Sequence, residues 1–144
     1  TVFSNNYNVT VDRTFISRYK IDYKYNRVYM DLDDTLTNNG QVCLNSIRFL
    51  YQCYNKNVPV VLLTRHDCDH EDSTEDYLTK CCISKNLFEE IISVPANACK
   101  TDYIKPESAI FIDNAFAERK LVHDLYNIPV FDVDGIEVLL DWRK

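Results

Sequence analysis

From Arg27 onward the chain alternates short apolar runs with stretches of helical periodicity. Val28-Tyr29-Met30 is an apolar run that ends in acids. Leu44 to Asn55 places Leu44, Ile47, Leu50, Tyr51 and Tyr54 at helical spacing. Val58 to Leu63 is a continuous β-branched and leucine run, as a buried parallel strand requires. Glu71 to Ser84 reads as a helix, Ile91 to Val94 and Ala109 to Ile112 as strands, and Ala115 to Tyr126 as a helix. Val130-Phe131 begins a short strand, and Ile136 to Trp142 reads as a last helix. Ahead of all this, residues 1–26 are polar and rich in Asn and Tyr. There Tyr19, Ile21, Tyr23 and Tyr25 alternate with Lys20, Asp22 and Lys24, a period of two that predicts a half-exposed strand. The reading is an α/β domain over residues 27–144, with a five-stranded, mostly parallel sheet and right-handed crossovers, preceded by an extension at 1–26.

Composition narrows this further. The chain has 144 residues, 46% hydrophobic and 26% charged, enough for one sizeable core, so one domain is the default. Its net charge of −6 argues against a nucleic-acid or membrane-surface partner, because phosphate backbones attract basic faces. The ten tyrosines are accordingly read as packing rather than as a stacking platform. No apolar run approaches the roughly 20 residues of a membrane helix, and no signal segment opens the chain. A cytoplasmic location is expected. The first residue is Thr1, which suggests an excised domain or a processed chain. The six cysteines include no CxxC pair, and His66, Cys68 and His70 alternate along what reads as a loop. Reduced, partly buried thiols are preferred to disulfides or a structural zinc site.

In parallel sheets of this kind, ligands sit beyond the carboxyl ends of the strands. There the chain supplies Asp31-Leu32-Asp33-Asp34-Thr35 after the first strand and Thr64-Arg65 after the second. Lys100 opens a short helix, and Asp113-Asn114 follow the Ala109–Ile112 strand. Carboxylates converging in one place repel each other unless a cation lies among them. Oxygen ligands with few nitrogens favour Mg²⁺, which keeps waters and binds a substrate phosphate.

The segment Asp31 to Thr37 resembles the first signature, DxDxT, of the haloacid dehalogenase superfamily. Thr64, Lys100 and Phe111-Ile112-Asp113-Asn114 are similar to its second, third and fourth motifs, in the family's order. The resemblance covers roughly Arg27 to Leu140 and implies a Rossmannoid three-layer sandwich. It further implies a phosphatase, a phosphoric monoester hydrolase. Asp31 would be the nucleophile forming an aspartyl phosphate, and Asp33 the general acid and base. Thr64 would bind a phosphoryl oxygen and Lys100 would neutralise charge, with Arg65 a candidate substrate contact. Mg²⁺ would be held by Asp31, the Asp33 carbonyl, Asp113 and Asn114. The commonest fourth motif has two acids. The Asp-Asn pair here is similar to that of phosphatases acting on the RNA-polymerase C-terminal tail, where Asn ligates metal and Asp orients the lysine.

Blander readings stand beside these. Asp31 and Asp33 could be capping or turn residues, and Thr64 could merely end a strand. Lys105 rivals Lys100 but precedes Pro106 and reads as a turn residue. Glu118 and Arg119 read as a solvated helix face, and His66 and His70 as part of a mobile loop.

The family often chooses substrates with an inserted cap. After the first motif only Asn38 to Leu44 are available, enough for a flap hairpin turning at Asn39-Gly40. Between the second and third motifs, Arg65 to Cys99 is filled by one helix and one strand. No cap is expected, so the substrate is a phosphorylated small molecule or a larger phosphorylated one. Asp113 to Lys120 and Val130 to Asp134 also resemble domains joined to bacterial ATP-grasp ligases of the carbamoyl-phosphate-synthase kind. The alternative function is therefore a weakly active or inactive binding module of such a biosynthetic protein.

Overall fold

The computed structural model describes residues 24–141. Five strands form one parallel sheet: β1 (Arg27–Met30), β4 (Val60–Thr64), β5 (Glu90–Ser93), β6 (Ala109–Ile112) and β7 (Val130–Phe131), in the order β5-β4-β1-β6-β7. A separate two-stranded hairpin, β2 (Thr37–Asn38) and β3 (Gln41–Val42), follows β1. The helices are α1 (Leu44–Asn55), the single turn α2 (His66–Asp69), α3 (Thr74–Lys80) and α4 (Phe116–Tyr126).

The central strands are buried on both faces, which is why their sequences read as unbroken apolar runs. Alternate residues serve different layers. Val28, Met30, Val60, Leu62, Ile110 and Ile112 pack on one face with Phe49 and Leu50 of α1 and Leu78 of α3. Tyr29, Val61, Leu63 and Phe111 pack on the other with Val122 of α4 and with Ile104. The result is a three-layer α/β sandwich with no inserted cap among the described residues.

From β1 the chain winds outward through α1 to β4 and through α3 to β5. It then returns across the opposite face, through a 3₁₀ turn at Lys100–Tyr103, to β6. The winding therefore reverses between β1 and β6, and their carboxyl ends frame the crevice where such sheets bind ligands.

Several elements differ from the sequence reading. The apolar face of α1 was expected to include Leu44, Tyr51 and Tyr54, yet all three are exposed and the buried residues are Ser46, Phe49, Leu50 and Cys53. Ser46 turns inward because its hydroxyl donates to the Thr35 carbonyl at 2.7 Å. The helix expected over Glu71–Ser84 is only α3. Ser73 caps its start by accepting from Asp76 N–H, and Cys82, with φ of 60°, stops it as Ile83 N–H bonds back to Leu78 O. The expected terminal helix is a 3₁₀ stretch, Val133–Leu139, begun by Asp132 capping Val133 N–H. Trp142 lies outside the described residues, as does most of the expected Tyr19–Tyr25 strand. Lys24 and Tyr25 are described and lie in no strand. The hairpin turns at Asn39-Gly40, both with positive φ, as a two-residue turn of that type demands. All six cysteines are free. Among the described residues no helix is long and apolar enough to cross a membrane.

Candidate active site

Parallel pairing sets the site's frame. Met30 is in register with Ile112, so Asp31 and Asp113 leave adjacent strand ends together. Asp31 N–H donates to Ile112 O, and Asp113 N–H donates to Phe131 O. After Asp31 the chain bends sharply through Asp34, whose φ is 60°. The Leu32 carbonyl then accepts from the N–H groups of Thr35, Leu36 and Thr37.

Lys100 enters from the 3₁₀ turn beneath this bend. Its side chain is only 4% exposed, and Nζ lies 3.0 Å from Asp31 Oδ1 and 2.6 Å from Asp113 Oδ2. Lys105 is exposed, and its N–H binds the Tyr29 hydroxyl, so of the two candidate lysines Lys100 is the one in the site. Burial pulls the Lys100 ammonium down, but the charges of Asp31 and Asp113 and their hydrogen bonds outweigh it and raise it. Asp31 is pushed up to about 7, mainly by burial and then by the Asp113 charge, against the opposing pull of Lys100. Two carboxylates sharing one ammonium leave a surplus of negative charge in a nearly dry place.

Thr35 joins the two motif ends. Its hydroxyl lies 3.3 Å from Asp31 Oδ2 and 3.4 Å from Asn114 Oδ1, and it accepts Asn114 N–H at 3.0 Å. One hydroxyl proton can serve only one of those two oxygens at a time. The loop after β6 is held from outside by Arg119, which donates to the carbonyls of Asp113 and Asn114 at 2.9 Å each. Arg119 and Glu118 are thus not a solvated face. Glu118 receives Arg65 Nε at 3.1 Å, while Arg65 Nη1 donates to Pro95 O. Arg65, a candidate substrate contact, is committed to these two partners, which tie α4 to the segment after β5.

Thr64, fully buried at the end of β4, accepts the N–H of His66 at 3.0 Å and starts the single turn α2. That turn replaces the expected mobile loop. His66 is 1% exposed, with Nδ1 at 2.9 Å from Asp33 Oδ2 and Nε2 at 2.9 Å from Asp72 Oδ1. Burial lowers its basicity, but hydrogen bonds and charge from Asp33 and Asp72 prevail and raise it. The Asp33 carboxylate therefore faces His66, and His70 Nε2 lies 3.7 Å from it. Sequence reasoning missed Asp72, the burial of His66 and the role of Arg119. Only the Arg119 signal was near at hand, since it follows Asn114 by little more than one helical turn.

The residues present fit a hard cation. Asp31 Oδ2 and Asn114 Oδ1 share one weak donor, both are oxygens, and the surplus negative charge calls for a positive ion. Asp113 has both oxygens engaged, Oδ2 by Lys100 and Oδ1 by Ala115 N–H at 2.9 Å, so it stands as the partner of the lysine.

No family model matches the chain, and no curated protein matches it. Among solved structures it is similar to the N-terminal part of the protein BF1531 from Bacteroides fragilis, described as containing a phosphatase domain and complexed with Mg. The TM-score is 0.50 at 11% identity, and the match covers 90% of this chain and 42% of that one. A likeness at this identity establishes the fold.

Proposed function

We propose that the chain is a capless, Mg²⁺-dependent phosphohydrolase of the haloacid dehalogenase type, acting through an aspartyl phosphate on Asp31. The observation that carries this reading is the buried Asp31–Lys100–Asp113 cluster at the point where the sheet reverses its winding. The fold shared with a Mg-complexed phosphatase domain supports it.

The Asp31 carboxylate, oriented by Lys100 through Oδ1, attacks phosphorus as the bond to the leaving oxygen breaks. Asp33 gives that oxygen a proton. It later takes one from the water that attacks the phosphoenzyme, releasing inorganic phosphate and restoring Asp31. Lys100 fixes the nucleophile and offsets charge on the phosphoryl group, and Asp113 positions Lys100. The Thr64 hydroxyl, directed at His66 N–H through its oxygen, retains its proton for a phosphoryl oxygen. Asp31, the Asp33 carbonyl and Asn114 would hold Mg²⁺, which supplies charge neutralisation for the nucleophile and the transferring group. The substrate is a phosphorylated small molecule or a larger phosphorylated partner, and an associated ATP-grasp domain would supply the cover that the described residues do not provide.

Hydrolysis of an aryl phosphate by the purified chain tests the reading. Expected is turnover with Mg²⁺, loss in EDTA, and a fall of at least about 10³-fold in Asp31→Asn, the order seen when a group essential to chemistry is removed. Equal rates in wild type and Asp31→Asn would leave only the alternative, a phosphate- or partner-binding module.

A further inference from the structure

We infer that Asp33, His66 and His70 form a second divalent-cation site, selective for a borderline metal such as Zn²⁺ over Mg²⁺. One carboxylate oxygen and two imidazole nitrogens lie within 4.8 Å of one another. Asp33 Oδ2 is 2.9 Å from His66 Nδ1 and 3.7 Å from His70 Nε2. A tetrahedral zinc ion with bonds of roughly 2.0–2.1 Å holds its ligand atoms about 3.4 Å apart, so Asp33 and His66 need small shifts, while the half-exposed His70 ring turns out of its stack on His66 to aim Nε2 at the ion.

The local structure prepares this arrangement. His66 and His70 are four residues apart across α2, and His70 N–H closes the turn on His66 O at 2.9 Å. The Tyr77 ring packs against His66 at 4.4 Å and helps hold its ring in place. Asp72 receives His66 Nε2 at 2.9 Å. That contact holds the ring and keeps a proton on Nε2, which leaves Nδ1 as the metal-binding nitrogen. The proton on Nδ1 departs to water when metal takes its place. His70 is half exposed, giving an entry path and an open fourth position for water. Cys68, between the two histidines in sequence, points instead at Val94 O at 3.4 Å and is not a ligand.

Donor chemistry separates this site from the Mg²⁺ site. Imidazole nitrogen suits Zn²⁺ and its neighbours in the first transition row, whereas Mg²⁺ demands oxygen. A metal on Asp33 removes the acid and base of the proposed phosphatase. Inhibition by Zn²⁺ therefore rests on that reading, whereas binding does not.

Co²⁺ is the spectroscopic probe. Titrated into the metal-free chain in millimolar Mg²⁺, it is expected to give visible d–d bands saturating at one equivalent and displaced by Zn²⁺. The bands should persist in Asp31→Asn and in Cys68→Ser, and vanish in His70→Ala. Bands unchanged in His70→Ala, lost in Cys68→Ser, or abolished by Mg²⁺ would overturn the site. In parallel, micromolar Zn²⁺ should slow aryl phosphate hydrolysis at least about tenfold in wild type and distinctly less in His70→Ala. A chain that shows the bands but no hydrolysis would count against the phosphatase reading and in favour of the metal site.

Discussion

Lys100 has almost left water, and its ammonium serves two carboxylates at once. Removing charges from water is costly, and one cation does not balance two anions. The imbalance appears at Asp31, whose carboxyl is raised from 3.8 to about 7. Between those values the folded chain keeps a proton that the unfolded chain releases, so stability falls as pH rises through that window. His66 acts in the same direction. Its imidazole is raised above 6.5, so its contribution is complete below that pH and is lost as pH climbs through the folded value. In chelator, Asp31→Asn is expected to raise the melting temperature at pH 8 by about 3 °C, the scale of 1 kcal/mol in a domain of this size. Its stability should also fall less steeply than wild type between pH 5 and pH 8. Parallel curves in thermal melts would count against the surplus charge at Asp31. Much of this site was legible because Asp31, Asp33, Thr64, Lys100 and the Asp113-Asn114 pair sit at strand ends or at the start of a helical turn, where position follows from local sequence. The His66 contacts were not legible, since they join carboxylates on both sides of a one-turn helix that has no periodic signature. The Thr35 hydroxyl lay inside the first motif, yet its service to both Asp31 and Asn114 appears only when β1 and β6 are side by side.

At the scale of elements, α1 shows where periodicity misleads. A helix can carry two overlapping apolar stripes, and the sequence alone does not say which one meets the sheet. The choice here went to Ser46, Phe49, Leu50 and Cys53, because Ser46 satisfies the Thr35 carbonyl and the tyrosines keep their hydroxyls in water. Urea denaturation can check the assignment. Phe49→Ala should cost about 3–5 kcal/mol as a cavity in a filled core, whereas Tyr51→Ala should stay within about 0.5 kcal/mol. Comparable losses would place the wrong stripe inside. The ends of α3 depended on a Ser73 cap and on Cys82 in a left-handed conformation, a role that sequence patterns assign to glycine or asparagine. The five strands of the sheet, by contrast, were read to within two residues, since apolar runs bounded by polar turns have few other uses in an α/β chain.

At the scale of the whole molecule, the candidate site lies at the carboxyl ends of the central strands of a filled sheet, and among the described residues it has little cover. The sole insertion between β1 and α1 is the small hairpin, and it is fastened at both ends to α3. Thr37 and Tyr77 share a hydroxyl bond of 2.8 Å at its base, and Cys81 Sγ reaches the Gly40 carbonyl at 3.6 Å near its tip. A gate latched in this way has no swing to make. An incoming phosphate analogue such as vanadate should meet a finished surface, with an observed association rate that climbs in proportion to its concentration and shows no plateau. Cutting the latch with Tyr77→Phe should bring in a slower, saturating phase in stopped-flow traces, the mark of a doorway that must first settle. In a latched molecule, the tempo of each encounter belongs to the ligand and its diffusion rather than to the protein.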